Sequence, residues 1–213
     1  MEAATAIPLA NGKSQISLFF DGWALHNLLP RMNEDAFFAV CKDNPELKIE
    51  QDKNGNIIVM PPVSYDSGSH ESEIIGDIVI WNRKYKLGKT FSSQTLFILP
   101  DGEKRMPDTA WISHTKDATL SRAERSSFAH VVPDFVVEMV SPSDNSDTLR
   151  KKMRQVWIAN GVQLAWMIDP KTQKAQIFRA DGSEQNIDGF DQTLSGEAVM
   201  PGFEFDLSIL KNW

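Results

Sequence analysis

From Phe135 to Val140 every position but one is apolar, and the exception is Glu138. The run has the length and character of a strand buried on both faces. Strand side chains alternate, so Glu138 shares a face with Val136 and Val140, while Phe135, Val137 and Met139 take the other. A carboxylate in that setting is costly unless it is paired, protonated or bound to a metal.

The remaining pattern supplies the neighbours of this strand. "NEDAFFAVCKDNP" predicts a short helix capped at Asn33 and stopped before Pro45. "LKIEQDKNGNIIVMPP" predicts a hairpin turning at Asn54-Gly55. "SHESEIIGDIVIWNRKYKLG" predicts a helix ending near Gly88, with Glu71, Ile74, Ile75, Ile78 and Asn82 along one face. Two strands are expected around Asp101-Gly102, then a short helical or irregular stretch from Lys116 to Phe128. A helix from Ser146 to Asn160 follows the Glu138 strand, with Leu149, Met153, Val156 and Trp157 as its apolar stripe. "VQLAWMIDPKTQKAQIFRADG" predicts a second strand pair, and "PGFEFDLSIL" a last short strand or arm. The order gives a mixed α/β (α+β) fold, a mixed β-sheet flanked by helices. Residues 1–32, with the apolar run Ile16 to Phe20, are expected to form an arm or extension, and residues 33–213 a single domain.

Composition narrows the function classes. The 213 residues carry a formal net charge of -7, which argues against a general nucleic-acid coat protein. It leaves room for a nuclease with an acidic metal site and a local basic rim. The single cysteine, Cys41, fits a small helix residue and a reducing compartment. The N-terminus lacks a secretory pattern and no apolar stretch could cross a membrane, so a cytoplasmic location is expected.

Candidate chemistry gathers near Glu138. Pro107-Asp108 and Pro133-Asp134 each open a strand, a pairing that is also ordinary loop-to-strand punctuation. Glu71 extends the apolar stripe of its helix at the N-terminal end, where a dipole partner and a site residue look alike. Lys152 lies on the flank of its helix's stripe and can run its stem along apolar surface, while Lys151 points away. Arg150 and Arg154 read as solvated charges or phosphate contacts. Two carboxylates on neighbouring strands suit a hard divalent cation, and a nearby lysine can orient water or stabilise a transition state.

"PDTAWIS", "PDFVVEMVSPSD", "KKM" and "ANGVQLAWMIDP" together resemble the Uma-type restriction endonucleases of the PD-(D/E)XK nuclease superfamily. The resemblance runs from about Asn33 to the "PGFEFDLS" tail. It implies a restriction-endonuclease-like core and Mg²⁺-dependent hydrolysis of DNA phosphodiester bonds, with Mn²⁺ as a substitute. Carried over, Asp108 is the acid of the PD strand, Glu138 the (D/E) position and Glu71 the first-helix position, all three as metal ligands. The superfamily lysine belongs two residues after Glu138, where this chain has Val140. Lys152 fits that role from the next helix.

Three readings remain at this stage: an endonuclease acting on DNA, a module of the same fold that binds nucleic acid or protein without cutting, and a structural domain in which Glu138 pairs with Lys152. A homodimer suits the cutting of two strands. His70 reads as a helix-start or surface residue, and His114 and His130 lack ligand spacing. Trp81, Trp111, Trp157 and Trp166 read as core. Arg83, Lys84, Lys86 and Lys89 suit a helix C-terminus or DNA phosphates.

Overall fold

The computed structural model describes residues 6–8, 14–16, 32–141 and 144–211. Most of the expected arm lies outside the described residues, including positions 17–20 of its apolar run. In chain order the strands and helices begin β1 (Ala6–Pro8), β2 (Ser14–Ile16), α1 (Glu34–Asp43), β3 (Lys48–Gln51) and β4 (Ile57–Met60). Then come α2 (Tyr65–Tyr85), β5 (Gly88–Ser92), β6 (Phe97–Ile98), β7 (Lys104–Arg105) and β8 (Thr109–Ser113). They continue with α3 (His114–Asp117), α4 (Arg122–Arg125), β9 (Phe135–Met139) and α5 (Ser146–Lys152). The last are β10 (Leu164–Asp169), β11 (Lys174–Arg179), β12 (Glu184–Asp188), β13 (Thr193–Ser195) and β14 (Glu204–Asp206).

The chain divides into two units, Met1–Pro62 with Asp101–Arg105, and Val63–Pro100 with Met106–Trp213. The division falls after Pro62, so α1 and the hairpin group with the N-terminal segment, beyond the boundary expected at residue 32. In this first unit, Asn33 caps α1 by accepting the Ala36 N–H at 3.0 Å. β3 and β4 pair antiparallel from Lys48↔Met60 to Gln51↔Ile57. Gly55 takes φ +84° in the turn between them, a conformation open to glycine. Arg105 sits buried between Glu50 at 2.9 Å and Glu103 at 2.6 Å, so these buried charges compensate one another. The PD-like turn region thus contributes a structural ion cluster at its Asp101–Arg105 end.

The second unit is built on a six-stranded sheet in the order β12-β11-β10-β9-β8-β5. β9 and β10 run parallel and every other neighbouring pair is antiparallel. α2 covers one face, where Ile74, Ile78 and Trp81 pack with Phe135, Val137, Met139 and Trp166. The chain after Lys152 covers the other, where Met153, Val156 and Trp157 pack with Val136, Ala165 and Met167. Coverage on both sides explains why β9 and β10 read as continuous apolar runs. The alternation expected for β9 holds: Val136 belongs to one cluster, and Phe135, Val137 and Met139 to the other.

Three expectations change. First, the buried stripe of α2 is Ser67, His70, Ile74, Ile78 and Trp81, one position away from the predicted face. The Ile74-Ile75-Ile78 group admits two helical phases. Trp81, the largest apolar side chain on the helix, selects the one that also buries His70. Second, α2 starts at Tyr65 with Ser64 as its cap and ends with Lys86 left-handed at φ +53°, whose N–H returns to the Asn82 carbonyl. Gly88 instead opens β5, pressed so close to β8 that an added Cβ would stand 2.1 Å from the Ile112 carbonyl oxygen and 2.6 Å from the Trp111 ring. Third, the helix after β9 is α-helical only through Lys152. Met153–Ile158 form a π-helical turn, with the Ala159 N–H bonded to the Arg154 carbonyl.

Two predictions follow from this packing. Gly88→Ala should lower stability by about 3 kcal/mol, because neither the Ile112 backbone nor the Trp111 ring can yield cheaply. Urea unfolding of the variant against wild type measures this. Burial lowers the pKa of His70 below the ordinary histidine value, partly opposed by Asp66. The unfolded chain then takes up a proton that the native state resists, so the stabilisation is complete above the ordinary value and declines as pH falls through it. Unfolding midpoints of wild type should therefore drop from about pH 7.5 to about pH 5.5 by more than those of His70→Phe.

Candidate active site

β8 and β9 run antiparallel with Thr109 opposite Val137 and Ala110 opposite Val136. One step further along that register, Asp108 stands opposite Glu138. The Asp108 Oδ2 accepts the Met139 N–H at 2.7 Å, which pins the carboxylate against the end of β9. Glu138 is buried, at 5 % exposure. Its Oε1 receives the Lys152 ammonium at 2.7 Å and the Trp157 indole N–H at 2.7 Å. The Lys152 nitrogen also lies 5.8 Å from the centre of the Trp157 ring, within range of a cation–π attraction. The charge that opened the problem is thus met by one cation and one neutral donor.

The π-helical turn makes this convergence possible. Five residues along an α-helix, two side chains point about 140° apart. The i→i+5 bonding of a π turn brings such residues over one another. Lys152 and Trp157 are five apart, and they meet on one oxygen atom.

The second Pro-Asp pair is structural. Asp134 accepts the Ser113 N–H at 2.8 Å and pairs with the Lys116 ammonium at 2.9 Å. The two aspartates clasp the strand pair from opposite ends: Asp108, before β8, holds the end of β9, and Asp134, before β9, holds the end of β8.

The other sequence candidates separate. Glu71 is half-buried near the start of α2, the helix that packs on the face opposite Glu138. Among the described residues no three His, Cys, Asp or Glu side chains form a group able to hold a metal ion. Glu71 therefore does not join Asp108 and Glu138 in a three-ligand cluster. Arg154 is paired with Glu184, and Arg150 donates to Gln176 at 2.8 Å, so both serve the seam between the helix and β11–β12. Lys151 is exposed, as its helical phase predicts. Lys89 pairs with Asp117 at 3.0 Å, and Lys84 lies over the Tyr85 ring. His70, read as a helix-start or surface histidine, lies near the start of α2 but is buried, and its Nε2 finds no hydrogen-bond partner among the described residues.

Trp157 is the residue that sequence reasoning undervalued. It is fully buried, as a core tryptophan should be. Its indole N–H, however, needs an acceptor, and Glu138 is the buried acceptor on its face. That pairing was readable in outline from the shared apolar stripe.

Asp108 and Glu138 offer the oxygen donors that a hard cation prefers. Two carboxylates suffice for Mg²⁺, which keeps several waters and completes its shell with substrate phosphate. A carboxylate has about four lone-pair sites, so the protein donors seen on Oδ2 of Asp108 and Oε1 of Glu138 are compatible with metal binding. A cavity of about 460 Å³ opens where β9 and β10 end, lined by Ser64, His70, Val140, Asp144, Asp169 and Lys211 among others, and its lining does not include Asp108, Glu138 or Lys152. In open sheets with parallel strands, this crevice beyond the carboxyl ends is where ligands bind.

Comparisons with known proteins agree with this architecture. A solved structure described as "a putative nuclease belonging to DUF820" from Anabaena variabilis superposes with a TM-score of 0.66 at 20 % identity, covering 79 % of this chain and 92 % of that one. At that identity the likeness establishes the fold. No curated protein matches this chain. The model of the Uma2 family, described as "Putative restriction endonuclease", matches residues 34–208. With most of its length matched, the chain belongs to the Uma2 family.

Proposed function

We propose that this protein is a Mg²⁺-dependent endonuclease that hydrolyses DNA phosphodiester bonds. The observation that carries the reading is the Asp108–Glu138–Lys152 arrangement: two carboxylates at opposing positions of adjacent strands, with a lysine on one of them. Membership of the Uma2 family supports a nuclease reading.

Asp108 and Glu138 would hold Mg²⁺, or Mn²⁺ in its place. The ion would supply Lewis-acid stabilisation of phosphoryl charge and acidify a bound water. The chain's own part is positioning and charge. The Met139 N–H holds one oxygen of Asp108 in place. Lys152 would be the cation that turns to the substrate. Its side chain is 18 % exposed and ends in three rotatable donors, so it can turn from Glu138 towards a developing phosphorane oxygen or the attacking water. The net charge of -7 makes DNA approach depend on local cations such as exposed Lys151. A homodimer would bring two such sites to the two strands of a duplex.

The closed Glu138–Lys152 pair favours a second reading, a nuclease-fold module that binds nucleic acid or protein without cutting. Val140, standing where the superfamily lysine is expected, agrees with it.

Supercoiled plasmid incubated with the protein separates the two. Nicking is expected with Mg²⁺ or Mn²⁺, none with EDTA, and none with Asp108→Ala or Glu138→Ala. Lys152→Ala should reduce the rate roughly 100-fold. DNA that binds but stays intact under every metal condition would support the second reading. Metal binding should also be visible as stabilisation. At a Mg²⁺ concentration about 100 times its dissociation constant, unfolding should cost about 2.7 kcal/mol more, and Glu138→Ala should abolish that gain. A structural ion pair predicts no Mg²⁺ effect. Glu71→Ala should keep the wild-type metal affinity.

A further inference from the structure

We infer that Trp157 is a positioning residue for Glu138, holding the carboxylate in place when Lys152 leaves it; the inference rests on the nuclease reading above. Lys152 and Trp157 donate to the same Glu138 oxygen, yet they differ in freedom. Trp157 is 0 % exposed and locked by packing on the helix-covered face of β9. Its indole is neutral, has one donor and does not titrate. Lys152 is partly exposed and charged, on a four-carbon stem with rotatable bonds. A lysine that turns to the substrate takes its bond with it. A buried carboxylate that loses a donor is held less firmly, and a metal ligand that shifts weakens its site.

The indole N–H limits that shift. It fixes the Oε1 edge of Glu138 without adding a charge that would compete with a cation. Asp108 has the equivalent device in the Met139 N–H. Each carboxylate of the site therefore accepts from an immobile, uncharged N–H. The π turn is what allows the second of these, because only i→i+5 geometry places Trp157 on the oxygen that Lys152 also reaches.

Trp157→Phe removes the donor and keeps an aromatic ring in the core. Mn²⁺ binding to the DNA-free protein, measured by calorimetry, is the deciding experiment, with Glu138→Ala as the reference for a lost site. The expected result is a 10- to 100-fold weaker affinity in Trp157→Phe, the usual loss when a group that orients a metal ligand is removed. In ¹H–¹⁵N spectra of the metal-free wild type, the Trp157 indole N–H should move when Glu138 is changed to Gln. Unaltered affinity in a folded Trp157→Phe protein would overturn the inference and leave the nuclease reading standing. A wild type that binds no Mn²⁺ would overturn both.

Discussion

A negative charge at 5 % exposure in the middle of a sheet sets the terms for everything around it. Glu138 lies on a strand whose other positions are apolar, between layers that exclude water. Taking a carboxylate into such a place costs several kcal/mol unless donors replace the lost hydration. The fold answers with a lysine from the end of α5 and an indole from the turn after it. Removing either partner leaves the charge less compensated, so the local helix geometry is tied to this one side chain.

The strand pair β8–β9 shows how one dipeptide can serve two ends. Pro107-Asp108 and Pro133-Asp134 precede antiparallel strands, so each aspartate meets the far end of the other strand. Both accept a backbone N–H there. At the Asp134 end the partner cation is Lys116, and the arrangement is a clasp. At the Asp108 end the opposing residue is Glu138, and the same clasp brings two carboxylates together. The chemistry comes from what stands opposite, since the anchoring bond is the same.

Much of this was legible in the sequence. β9 was readable because burial on both faces leaves an unbroken apolar run, and the alternation then assigned Glu138 its face. Lys152 was readable from helical phase. The face of α2 was misread because Ile74, Ile75 and Ile78 fit two stripes equally well, and the choice depends on where Trp81 finds room beside Trp111 and Phe203. β12 and β13 carried no signal: in β12 only Ile187 is buried, so its polar neighbours show no alternation. The π turn left no trace either, since i→i+5 bonding has no residue signature of its own. Glu71 was drawn into the site by its place on an apolar helix stripe and by family position, while the structure places it on α2, over the other face.

The π turn changes how distance along this chain should be counted. Between Lys152 and the start of β10 the path to the sheet includes a wider loop of helix than regular geometry would use. A lysine located by a fixed number of residues before the "WMIDP" strand would be assigned one place away. The partner of Glu138 is defined by contact in space, and ruler-like spacing along the chain is a poor guide to it.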